Sequence, residues 1–249
     1  MNNLVQYIYG VADNALILGQ RLGEWCGHGP NLETDIAMTN MSLDLFGQVR
    51  SYYQYAAKLI GGNANEDTVA FLRNENQYRN VLLVEQPNND FAFTVARQYL
   101  FDEFHLMLLE QLQYSKDATL SAIAKKSLKE VSYHRRFSSD WVKRLGDGTP
   151  ESHQRMQSGI DNLWTFTDEL FHMTDADREM AAQGIGVDVS QFKQDYYDKV
   201  AALLEEATLK VPDLKFFQKG GKMGIHTEHM GYLLADMQYM QRAYPNMTW

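Results

Sequence analysis

The sequence predicts an all-α protein. Three observations carry that reading. Proline is scarce, 5 in 249 residues, and falls in connections. Long segments repeat their apolar residues with a period near 3.6. Sustained apolar/polar alternation, the mark of a half-buried strand, does not occur. Breakers at 27–31 (GHGPN), 61–67 (GGNANED), 85–90 (EQPNND), 145–150 (LGDGTP), 183–190 (QGIGVDVS) and 210–224 (KVPDLKFFQKGGKMG) delimit the helices. These are expected at 4–26, 32–60, 90–115, 118–145, 150–172, 190–208 and 224–243, with a short one near 67–74. Asn31 before Glu33 and Asp35, and Ser190 before Asp195, are helix starts. No shift in composition marks a boundary, so one domain is expected over 1–249.

Hydrophobic residues at 45% and aromatics at 12% supply a large core. A net charge of -9 argues against nucleic acid, whose binders carry basic faces. No Lys/Arg run addresses an anionic membrane, and no apolar run approaches the roughly 20 residues of a span. Cys26 is the sole cysteine, which excludes an internal disulfide and suits a reducing compartment. MNNLVQYIYGVADN lacks the basic and apolar regions of a signal peptide. A soluble cytoplasmic protein is the expectation.

The first four long helices form two hairpins, 4–60 and 90–145, joined by a crossover of about 30 residues. That is the plan of a ferritin-like four-helix bundle, here with additional C-terminal helices. Each helix carries an inward stripe: Tyr7, Val11, Asn14, Leu18, Arg21 and Trp25; Met38, Met41, Leu45, Gln48, Tyr52, Tyr55 and Leu59; Val95, Tyr99, Asp102, Leu106 and Leu109; Leu120, Ala124, Ser127, Val131, His134, Ser138, Trp141 and Leu145. Asn14, Gln48, Asp102 and His134 intrude as polar residues.

Di-iron bundles of this plan take one carboxylate from each of two helices and Glu-x-x-His from each of the other two. The i, i+3 spacing puts both ligands on one face. Against that pattern this sequence offers Asn14, then Leu45 with Gln48, then Asp102, then Val131 with His134. Two of six ligand types remain, so no metal is expected in this chain. Asp102 and His134 should face each other, with Asn14 and Gln48 close by. His134, Arg97 or Arg21 would neutralise Asp102. A second set, Asp44, Asp102, His105, Glu130 and His134, leaves open an unconventional metal site and an enzyme in its own right.

At these residues the chain resembles the C subunits of bacterial phenylacetyl-CoA epoxidases. The matching stretches are LGQRLGEWCGHGPNLETDIA, LDLFGQVR, LLVEQPNNDFAFTVARQYLFD, KEVSYHRRFS and GGKMGIHTEHMGYLLADMQYMQR, running from the first helix to the last. The resemblance implies a non-catalytic, structural subunit of a multicomponent oxygenase of aerobic phenylacetate degradation. It implies a paralogous A subunit that carries the di-iron centre and binds the CoA thioester, a small B subunit and a reductase.

Other motifs read as structural. Glu169 to His172 spells Glu-x-x-His, but Asn162, Thr165, Glu169 and His172 share a polar face opposite Leu163, Leu170 and Phe171, which suggests a solvated side. His226, Glu228 and His229, in HTEH, suggest helix capping or a subunit contact. GGKMG lacks the order of a phosphate loop and reads as a connection. Cys26 reads as a packing residue at a helix end. Arg21, Glu24, Trp25 and His28, with Asp35 and Asn40, suggest a network holding the first hairpin or a recognition surface for a partner.

Overall fold

The computed structural model describes residues 2–245 and 247, and among these every regular element is helical. The helices are α1 (Asn3–Gly23), α2 (Leu32–Ile60), α3 (Glu66–Phe71), α4 (Leu82–Glu85), α5 (Phe91–Leu112), α6 (Ala118–Gly146), α7 (Pro150–Leu163), α8 (Asp175–Ala182), α9 (Lys193–Glu206) and α10 (Glu228–Ala243). None of them is long and apolar enough to cross a membrane. Contacts divide the chain into two compact units, Met1–Glu85 with Gly220–Trp249, and Gln86–Lys219. Each is built on one of the two long hairpins expected of a ferritin-like bundle.

Side-chain caps set most helix starts. Asn31 accepts from the Thr34 amide, Asp90 from Phe93, and Asp117 from both Thr119 and Leu120. Asn65 and Thr68 cap each other reciprocally ahead of α3. Gly61, at φ +76°, ends α2 in a conformation that a side chain would strain.

In the first unit α1 and α2 run antiparallel. The Tyr53 hydroxyl donates to Asp13 at 2.5 Å, and the Ser42 hydroxyl to the Gly19 carbonyl at 2.7 Å. Arg73, after α3, donates to both Asp13 oxygens at 2.9 and 2.7 Å. Its guanidinium lies 4.2 Å from the Tyr9 ring and 4.1 Å from the Tyr78 ring. Burial alone would lower the Arg73 pKa, but the charge and hydrogen bond of Asp13 together with Tyr53 and Tyr78 outweigh it, raise the pKa and hold the guanidinium protonated. From α10, Gln238 donates to the Arg73 carbonyl and to the Tyr78 hydroxyl. One buried ion pair thus ties together α1, α2, the crossover and the C-terminal helix.

In the second unit α5 is the axis. It is buried almost all round rather than along one stripe; Phe101, Phe104 and His105 are buried while Leu106, placed on the stripe, is half-exposed. The α6 helix packs against it antiparallel, with an ordinary amphipathic face. An aromatic cluster of Phe104, Phe171, Phe192, Tyr196 and Tyr197 joins α5 to the later elements.

Several expectations are corrected. The α-helix over 150–172 stops at Leu163 and continues as two 3₁₀ turns, Trp164–Phe166 and Asp168–Phe171. The tighter turn breaks the α-helical face on which Glu169 looked solvated, and Glu169 is buried. The Thr167 hydroxyl donates back to the Trp164 carbonyl in this stretch. Asp188 rather than Ser190 caps the approach to α9, whose first α-helical residue is Lys193. The last helix begins at Glu228, because the glycine turn before it, with Gly220 at φ +155° and Gly224 at φ +79°, cannot continue a helix. Cys26 lies in turns beyond the end of α1 and is exposed, not packed. The helices α4 and α8, four and eight residues long, are additions that the periodicity does not announce.

Asp13→Ala should cost about 3–5 kcal/mol, because it leaves the Arg73 charge buried without compensation. Asp175→Ala, which removes an exposed pair with Arg178, should leave stability close to that of the wild type. Urea unfolding of the two variants against the wild type measures both. Similar small losses would show that the buried pair does not hold the first unit together.

Candidate functional site

The residues at the metal-ligand positions fall into both units, and each set has its own partners. In the first unit Asn14 donates to the Gly10 carbonyl and accepts from the Val81 amide, both at 2.8 Å. Leu45 and Gln48 are buried on α2. These side chains serve α1, α2 and the start of α4; none is a carboxylate.

In the second unit Asp102 is 1% exposed, in the middle of α5. One carboxylate oxygen accepts from Gln98 Nε2 at 2.7 Å and the other from Ser138 Oγ at 2.8 Å. Burial pushes the Asp102 carboxyl up to about 7, while nearby His134 and the hydrogen bonds from Ser138 and Gln98 hold it from rising further. Burial drives the His105 imidazole down to about 3, and the charge of His134 adds to this. His105 packs against the Phe101 ring at 5.2 Å between centroids. Its Nδ1 has no hydrogen-bond partner among the described residues. Val131, fully buried, stands three residues before His134, where a second carboxylate would be needed.

Asp102 and His134 are therefore neighbours, as the stripes indicate. The expected arginine partners are elsewhere. Arg97 donates to the Gln86 carbonyl and to Asn88, and Arg21 to Glu24 and the Glu85 carbonyl. Two neutral donors meet Asp102 instead. Gln98 is not among the expected partners, although it sits four residues, about one turn, before Asp102. Ser138 is on the α6 stripe, where the pattern alone marks only a core position. Glu103 is a further buried acid that the pattern does not single out; it pairs with Arg135 at 2.8 Å.

Asp44, Asp102, His105, Glu130 and His134 form the alternative ligand set. Among the described residues no group of three or more His, Cys, Asp or Glu is placed to hold a metal ion. Asp102 has both oxygens engaged, and Asp44 and Glu130 are half-exposed flank residues of α2 and α6. The donor set does not fit a di-iron centre, which needs anionic oxygens from several helices.

At the first hairpin the polar contacts run as follows. Arg21 pairs with Glu24 at 2.9 Å, and Asp35 accepts from the Gly29 amide at 2.8 Å. Trp25 is half-buried, and Glu24, His28 and Asn40 are exposed. The centre of the network is Glu85, a residue the sequence does not single out. Its carboxylate meets His226 Nδ1 at 2.5 Å and accepts from Asn80, from the Thr227 amide and from the Thr227 hydroxyl. Burial disfavours a charged His226, but the hydrogen bond and charge of Glu85 outweigh it and raise its pKa. His226 is thus an internal partner, His229 offers its carbonyl to Arg21, and Glu228 is exposed.

A family model described as "Phenylacetic acid catabolic protein" matches residues 1–249. The chain belongs to the phenylacetic acid catabolic protein family. Within that family it is 49% identical, over 249 residues and the full length of both proteins, to the C subunit of the 1,2-phenylacetyl-CoA epoxidase of Escherichia coli (strain K12). The family match spans both compact units.

An Asp102 carboxyl that titrates near 7 in the fold and near 4 when unfolded favours the folded state at low pH. That advantage fades as pH rises through 7. Asp102→Asn keeps the shape and can still meet Gln98 and Ser138. Between pH 5 and 8 the wild type should therefore lose roughly 2–3 kcal/mol relative to Asp102→Asn. Urea unfolding at the two pH values measures this, and parallel pH profiles would refute the burial of an uncompensated carboxyl.

Proposed function

We propose that this chain is a structural, non-catalytic subunit of a multicomponent phenylacetyl-CoA epoxidase of aerobic phenylacetate catabolism. It stabilises a separate catalytic A subunit that carries the di-iron centre. The carrying observation is the donor set in the second unit. Asp102 is held by neutral donors, and Val131 occupies the place of a carboxylate. The full-length likeness to a protein named as the C subunit of such an epoxidase supports the substrate and the multi-subunit setting. The small B subunit and a reductase complete the system that this reading implies. A cytoplasmic location suits a catabolic enzyme that handles a CoA thioester.

A chain of this kind lends surface and rigidity rather than reactive groups. Its own polar core is a matter of stability, and its contribution to turnover passes through the catalytic subunit. After anaerobic iron loading the purified chain should hold no stoichiometric iron and show no oxygenase activity. The A subunit should become soluble and active only on co-expression with it. Elemental analysis, sizing and a turnover assay check the three statements together. About two irons per chain, or an A subunit that is soluble, monomeric and fully active alone, would overturn the reading.

A further inference from the structure

The enclosed side chains of Glu85 and His226 fix the C-terminal arm that starts at Gly220 and carries α10. Both ring nitrogens of His226 face acceptors. Nδ1 lies 2.5 Å from Glu85 Oε1, and Nε2 lies 3.3 Å from the Tyr78 carbonyl oxygen. A neutral imidazole carries one N–H, so only the imidazolium donates to both. Three further donors favour the ionised form of Glu85: Asn80 Nδ2 on Oε1, and the Thr227 amide and hydroxyl on Oε2. The ion pair of Glu85 among the described residues is with His226.

This clasp sits at the root of α10. His226 and Thr227 come directly before Glu228, the first helical residue, and the chain reaches them through Gly220 and Gly224, both at positive φ. Beyond the clasp α10 buries only Met230, Leu233, Leu234 and Gln238 among its described residues. A helix held by so few contacts is the kind of element that opens locally. A ring that loses its proton can keep its bond to Glu85, but a lone pair then faces the Tyr78 carbonyl and Glu85 has no counter-charge. We propose that the arm from Gly220 through α10 is a proton-held latch: the His226 imidazolium locks it onto the first unit, and loss of that proton at alkaline pH releases it. Other charges surround the ring. Glu75 favours the imidazolium, whereas Arg79, which donates to the same Tyr78 carbonyl at 2.7 Å, opposes it. Arg21 meets the backbone carbonyls of Glu85 and His229 and pairs with Glu24. Lys222 is buried in the glycine turn, and Glu228 and His229 follow on the same segment. Burial lowers the His226 pKa, but the hydrogen bond and charge of Glu85 outweigh it and raise the value. The latch is therefore complete below the ordinary histidine pKa and weakens as pH rises through the raised one.

Native-state hydrogen exchange of the full chain at pH 6 and pH 8.5 tests the latch, with the α1 amides of the same unit as internal reference. From the lower to the higher pH, opening of α10 relative to α1 should increase by about threefold or more in the wild type. His226→Gln removes the titrating ring and keeps His229, so its α10 should be more open at pH 6 and show no such increase. Nitrogen-15 NMR of the wild-type imidazole is the second measurement, and it decides even where the variant does not fold. Both ring nitrogens of His226 should be protonated at pH 6. A neutral ring at that pH, a wild-type α10 whose protection stays in step with α1, or an equal increase in His226→Gln would overturn the proposal.

Discussion

A carboxylate taken out of water needs either a compensating charge or a proton. The core of the second unit turns on that constraint. Asp102 sits at the middle of a helix that is buried almost all round, where desolvation is most costly. In a di-iron bundle the metals would supply the positive charge. Here Gln98 and Ser138 donate to the two oxygens, His134 lies nearby, and burial moves the carboxyl toward neutrality.

The first unit answers the same constraint in another way. Asp13 is also buried, but it meets a full charge, the Arg73 guanidinium, enclosed by tyrosine rings. Glu85 likewise meets His226 and a pair of donors from Thr227. Both carboxylates bind segments far apart in sequence, so they act as clasps for the crossover and the C-terminal helix. The chain thus uses buried acids mainly to fasten its own elements together.

How much of this is legible in the sequence depends on periodicity. The bounds of α2 follow directly from the Asn31 cap and the Gly61 stop, and those of α6 lie within one residue of the expected range. The proximity of Asp102 to His134 follows from two stripes on adjacent helices. The turns after Leu163 are not legible, because a 3₁₀ turn changes which residues share a face without changing composition; Glu169 is misplaced for that reason. Asp13 and Glu85 escape notice because their partners stand 60 and more than 140 residues away. No local spacing announces such a pair. The arginines offered to Asp102 have other acceptors: Arg97 the Gln86 carbonyl, 11 residues before it, and Arg21 the Glu85 carbonyl, 64 residues away.

The state of the Asp102 carboxyl tests this account most directly. Carbon-13 NMR of aspartate-labelled protein, with the signal assigned by its loss in Asp102→Asn, follows that one group through a pH titration. The account predicts a midpoint near 7, shifted far above the ordinary range by burial. A carboxyl that stays ionised down to pH 4 would contradict it, and would mean that a positive charge, from a metal or a side chain, compensates Asp102 after all.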